Sequence, residues 1–151
     1  MTFPDVVPGL SPTFHHLPGD FLRLKPITNS ESELYDVIVT QFFIDTSFNI
    51  ISTLEQIHAL LKPRGTWINL GPLLWRSGAH AALELSLEEM LLLAEKVGFD
   101  FMEVGGHAGQ SDENGRDFGR KSKTIECEYT ADKNAMMRWV YKAEFWMAQK
   151  R

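Results

Sequence analysis

Residues 35–71 read YDVIVTQFFIDTSFNIISTLEQIHALLKPRGTWINLG, and their pattern decides the fold. The opening run, YDVIVTQFFID over 35–45, is β-branched, aromatic and apolar without alternation. Such a run suits a strand buried on both faces of a parallel sheet. Directly after it, Thr46 or Ser47 can cap a helix carrying Ile50, Ile51, Leu54, Ile57, Leu60 and Leu61, whose spacing forms one apolar stripe. Lys62, Pro63 and Gly65 end that helix through charge, a missing donor and a permissive backbone. TWINLG, residues 66–71, then reads as a second buried strand. Strand, helix and strand make a βαβ unit, which requires a parallel pair.

Working outward, the first twenty residues hold prolines at 4, 8, 12 and 18 and glycines at 9 and 19. They read as an extended lead-in with at most one short strand around Phe14 to Leu17. Gly71-Pro72 breaks the second strand and opens a loop through Trp75, Arg76 and Gly78. A second helix starts at Ser86, with Glu89 completing a capping box and Leu85 and Met90 placed as a hydrophobic staple. Gly98 closes it after Lys96. FDFMEV, residues 99–104, predicts a strand, and residues 105–121, rich in Gly, Asp, Asn, Arg and Lys, predict a surface insertion. KTIECEYT resumes a strand. RWVYKAEFWMA, residues 138–148, sets Trp139, Tyr141, Ala143, Phe145 and Met147 against more polar positions, as in a closing antiparallel strand. The order is α/β with an antiparallel pair at the end.

The length, 151 residues, allows one domain and not two. Hydrophobic residues at 44% and charged ones at 23% make a packed core feasible. Fifteen Lys and Arg against twenty Asp and Glu give a net charge of −5. That sign disfavours nucleic acid and anionic membranes as partners. The single cysteine, Cys127, excludes an internal disulfide framework and a multi-cysteine zinc site. No apolar stretch approaches the ~20 residues of a membrane span, and the first residues lack a signal-peptide pattern. A cytoplasmic location, shared or not with the nucleus, is the expectation.

In open α/β sheets, ligands gather beyond the carboxyl ends of the parallel strands. Three places qualify: Ile44-Asp45-Thr46-Ser47, Asn69-Leu70-Gly71-Pro72, and Gly19-Asp20-Phe21. Asp45 is the sharpest candidate, although a carboxylate there equally suits a helix cap. Asp20 suits a turn residue after Gly19. His15 and His16 cannot share one face of a strand, which disfavours a metal site. His58, on the polar side of its helix, and His80 and His107, in loops, read as surface residues. Arg76 offers a guanidinium for an anion, Tyr129 a hydroxyl, and Cys127 has no neighbour that activates it. Neither glycine-rich phosphate loop is present.

GDF, YDVIVTQFFIDTSFNII, LKPRGTWINLGPLLW and LELSLEEMLLLAEKVGF together resemble the carnosine N-methyltransferase (N2227-like) family. The likeness continues through EYTADKNAMM and spans nearly the whole chain outside 105–121. It implies the C-terminal half of a Rossmann-like class I methyltransferase sheet, with residues 1–151 a partial domain. It further implies S-adenosylmethionine as methyl donor and an imidazole nitrogen of a histidine-containing dipeptide as acceptor. By the same resemblance Asp20 and Phe21 match cofactor-contacting positions, as does Val37. Asp45 matches the carboxylate that holds the substrate imidazole, and Tyr129 a substrate-contacting tyrosine. Arg76 stands where the family has a substrate-contacting histidine, which points to a different small imidazole or amine as substrate. The family's glycine-rich loop and ribose-binding acid lie in a half that this sequence does not contain. Without it, YDVIV becomes an exposed apolar edge, so a protein partner or self-association through that edge is an expectation. A non-catalytic, protein-binding remnant is the alternative to an enzyme.

Overall fold

The computed structural model describes residues 14–25, 34–75, 83–104, 121–129, 134 and 136–151. Strand β1 (Tyr35–Gln41), helix α1 (Ile50–Leu60) and strand β2 (Leu61–Gly71) form the expected βαβ unit, with β1 and β2 parallel. Helix α2 (Leu87–Val97) leads to β3 (Phe99–Phe101), and β4 (Lys123–Tyr129) to the long β5 (Trp139–Lys150). The five strands run in the order β1-β2-β5-β3, with β4 also on β5. β3 and β4 share one edge of β5, opposite residues 148–150 and 139–145. They behave as one strand interrupted by residues 102–122. Of the expected insertion, 105–121, all but Lys121 lies outside the described residues.

Both helices pack on one face of the sheet. Ile50, Leu54 and Ile57 of α1 and Met90, Leu91 and Ala94 of α2 enclose Trp67, Phe99, Trp146 and Ala148 in one core. Side chains alternate along a strand, so the same geometry turns Val37 and Val39 to the other face, where they are 49% and 63% exposed. Ile68, Leu70, Phe145 and Met147 share that face and are only half-buried. No described helix covers it. The expectation that β1 is buried on both faces is therefore wrong, since full burial needs helices on both sides. β1 is moreover an edge strand among the described residues.

Several boundaries differ from expectation for physical reasons. β1 stops at Gln41, because Phe42 takes a left-handed φ of 49° and residues 44–46 wind into a 3-10 turn. The cap of α1 is neither Thr46 nor Ser47 but Asn49, whose Oδ1 accepts from the Ile51 and Ser52 amides at 3.1 and 3.3 Å. Thr46 spends its hydroxyl on the Phe43 carbonyl instead. β2 begins at Leu61, with the KPRG turn absorbed as an irregularity opposite residues 35–37 and Arg64 at φ 64°. β3 is only three residues long, and Phe14 to Leu17 form no strand. In β5 the buried aromatic is Trp146, while Trp139 is exposed; the helix-covered face takes the other alternate set.

Other expectations hold. α2 starts with both bonds of the Ser86–Glu89 capping box and ends on Gly98 at φ 122°. Leu85 packs on the core beside a fully buried Met90. Each such apolar side chain contributes about 1.5–3 kcal/mol on burial. No described helix is long and apolar enough to cross a membrane.

Candidate functional site at the strand ends

The site is built where β1 and β2 end. The Phe42 amide donates to the Leu70 carbonyl at 2.8 Å, and Gly71 lets the two backbones touch. A Cβ on Gly71 would lie 3.1 Å from both the Cα and the N of Phe42. This crossing swings the chain out of β1 and into the turn Ile44–Thr46. Ile44 is pinned in the core at no exposure, and it carries Asp45 down with it, 2% exposed. Asp45 Oδ2 accepts from the Leu74 amide at 3.3 Å. The carboxylate thus spans the loops following both parallel strands. It does not cap α1. A carboxylate this buried is costly unless donors surround it, and the Leu74 amide is one of them.

Near it lies a buried polar network. Trp67 Nε1 donates to Thr40 Oγ1 at 2.8 Å, and that hydroxyl donates to Asn69 Oδ1 at 2.8 Å. Asn69 Nδ2 reaches the Glu144 carbonyl at 3.1 Å. Three strands are thereby locked together just before their site-bearing ends.

Tyr129 ends β4 at this same end of the sheet, because β4 runs parallel to β2 through their shared neighbour β5. It is 58% exposed. Its ring meets Tyr141 edge-on at 5.7 Å, and Tyr141 meets Phe42 at 5.4 Å. A line of aromatic contacts therefore links Tyr129 to the residue that ends β1. Asp20 caps a 3-10 turn, Phe21–Arg23, by accepting from the Leu22 amide at 3.0 Å. The turn is tethered to α1 by Gln56, whose Nε2 donates to the Phe21 carbonyl at 3.2 Å. Phe21 stacks edge-on against Phe43 at 5.3 Å, again at the end of β1. Val37 stands apart, mid-strand on the uncovered face. Arg76, His80 and His107 lie outside the described residues. Among the described residues no group of His, Cys, Asp and Glu could hold a metal.

The Leu74 amide, Phe42 and Thr40 were not singled out by residue type, whereas Asn69 falls in the Asn69–Pro72 stretch picked for its place at a strand end. A shallow depression on α2 lined by Glu89, Leu92, Leu93, Glu95 and Lys96 lies away from the strand ends. Its Glu95 is ion-paired with Lys121 and its Glu89 is used in the cap.

The five-stranded sheet with its parallel βαβ unit makes a mixed α/β fold, consistent with a methyltransferase-like one. The chain itself is a member of the carnosine N-methyltransferase family, whose model matches residues 1–151. It is similar to the carnosine N-methyltransferase of Dictyostelium discoideum, 32% identical over 97% of this chain and 28% of that protein. The Rattus norvegicus protein of the same name is 32% identical over 98% of the chain and 33% of its own length. The Schizosaccharomyces pombe one is 28% identical over 99% and 39%. The chain thus spans between 28% and 39% of the length of the curated relatives it matches.

Proposed function

We propose that this chain carries the acceptor-binding part of an S-adenosylmethionine-dependent N-methyltransferase with a Rossmann-like sheet. Its acceptor is an imidazole nitrogen of a histidine-containing dipeptide or a similar small molecule. The observation that carries the reading is Asp45: a buried carboxylate, held by the Leu74 amide, at the carboxyl ends of two parallel strands.

The methyl donor supplies an electrophilic carbon on a sulfonium, already activated. What remains for the protein is alignment and electrostatics. Asp45 accepts the N–H of one imidazole nitrogen, which fixes the tautomer and leaves the other nitrogen's lone pair free to attack. As the C–N bond forms and the C–S bond breaks, positive charge grows on the ring, and the carboxylate offsets it. The neutral thioether departs, the proton on the Asp45-facing nitrogen passes to water, and the neutral methylated imidazole leaves. Tyr129 borders the acceptor from β4. Arg76, replacing a histidine of the family pattern, cannot act as a base and favours an acceptor that bears a carboxylate. Asp20 and Phe21 fit part of the donor, offering a carboxylate acceptor beside an aromatic ring. Val37 takes part only if the pocket reaches around the β1 edge.

The test is Asp45→Ala in a polypeptide of the relatives' full extent carrying this sequence. Removing a preorganised electrostatic contact of this kind costs about 10²–10³ in kcat. Turnover equal to the unsubstituted protein would sink the role. The exposed edge at β1 supports a second reading, a non-catalytic protein-binding module. Calorimetry of the 151-residue chain with S-adenosylmethionine separates the two, since micromolar binding refutes the module reading.

A further inference from the structure

Two polar side chains flank the apolar stripe of α1, and each is bonded to a different one of the turns that frame the site. Thr53 and Gln56 stand three residues apart, so they are neighbours on the helix surface, about 5–6 Å apart at Cβ. Thr53 donates its one hydroxyl proton to the Asn49 carbonyl at 3.2 Å, so its oxygen accepts from Ser47 Oγ at 2.9 Å. Ser47 closes the turn Ile44–Thr46, whose middle residue is Asp45. Gln56 Nε2 donates to the Phe21 carbonyl at 3.2 Å and to the Leu24 carbonyl as well. Those two carbonyls bracket the turn Phe21–Arg23, which Asp20 caps.

The helix itself needs neither attachment, having its cap in Asn49 and its core contacts in Ile50, Leu54 and Ile57. The turn Phe21–Arg23, by contrast, has no buried residue and pairs with no strand. Its edge-on ring contact, Phe21 with Phe43, sets a distance. Two hydrogen bonds from one planar amide fix its rotation too. We propose that Thr53 and Gln56 are positioning residues: Thr53 holds the acceptor turn, Gln56 the donor turn, and α1 keeps the two at one spacing. The inference rests on the proposed roles of Asp45 toward the acceptor and of Asp20 and Phe21 toward the donor. Methyl transfer brings two bound molecules onto one line, and a small misplacement of either is costly in rate. With both tethers on one helical turn, a shift of either site turn against the other has to break a tether.

The experiment uses a polypeptide of the relatives' full extent carrying this sequence, with carnosine as acceptor. Gln56→Leu, and Gln56→Glu as an isosteric second variant, should weaken S-adenosylmethionine about tenfold by calorimetry and leave the KM for carnosine unchanged. Thr53→Val should do the converse. Gln56→Lys, which keeps a donor, and Thr53→Ser, which keeps the hydroxyl, should recover most of each loss. Asp20→Ala and Asp45→Ala separate the layers of the argument. If these two bind donor and turn over acceptor unchanged, the reading beneath fails and the inference falls with it. If they are impaired while the α1 variants behave as the unsubstituted protein, the positioning inference alone is overturned. A loss shared equally by donor and acceptor, tracking a lower urea midpoint and not recovered by the conservative variants, means a merely structural role and also overturns it.

Discussion

His58 carries a proton reluctantly, and this sets a pH dependence on the fold. Sequence pattern puts it on the polar side of α1, yet its ring lies edge-on to Phe99 at 5.3 Å and beneath Gly98. A Cβ on Gly98 would sit 2.8 Å from His58 Nε2, and the φ of 122° also demands glycine. Burial lowers the His58 pKa from 6.5, and the positive charges of Lys150 and Arg151 lower it further, against a hydrogen bond with the Gly98 backbone. The unfolded chain therefore binds a proton first as pH falls. Stability is full above the unfolded value of 6.5, declines as pH drops through the window below it, and levels off once the folded form is also protonated. Urea midpoints measured from about pH 7.5 down to about pH 5.5 should fall, and His58→Gln should flatten the slope. An equal slope in that variant would place the proton uptake elsewhere.

Among the elements, those bounded by local chemistry were legible and those bounded by contacts were not. α2 could be read residue by residue, because Ser86, Glu89 and Gly98 act within a turn of the helix end. α1 could not, because Thr46, Ser47 and Asn49 are all competent caps and the 3-10 turn takes the first of them. The end of β1 is fixed by the Leu70 carbonyl and the absent side chain of Gly71, both from another strand. Which face of each strand is covered follows from where both helices land, not from the strand's own residues. The site was legible in the same measure. Asp45 announced itself as a carboxylate after an apolar strand, whereas its Leu74 partner is a backbone amide without residue signature.

The Thr40–Asn69–Trp67 network is also an element-scale property, since it ties β1, β2 and β5. Asn69→Leu removes one donor to the Glu144 carbonyl and the nearer acceptor of the Thr40 hydroxyl, whose other acceptor is the Ile68 carbonyl at 3.4 Å, which costs about 1–3 kcal/mol. Thr40→Val leaves the Trp67 indole without its acceptor at a similar cost. Because the groups act as one unit, the double variant should lose less than the sum, read by urea unfolding. Strict additivity would mean that the bonds are independent.

At the scale of the molecule, a sheet covered on one face has an unusual relation between length and buried surface. Its helix-side core is complete, with Trp67, Phe99 and Trp146 fully enclosed. The opposite face leaves Val37 and Val39 in water and Ile68, Leu70, Phe145 and Met147 only half-covered. The slope of unfolding free energy against urea scales with the surface newly exposed on unfolding. A face already open exposes little more, so the slope should sit near the lower end of the roughly 1–3 kcal/mol/M range for small proteins. Lengthening the polypeptide toward the full extent of the relatives should then raise the slope by more than the added residues account for, since the new segment also covers the existing face. A slope that rises only in proportion to length would show that the added chain folds beside this sheet without packing on it.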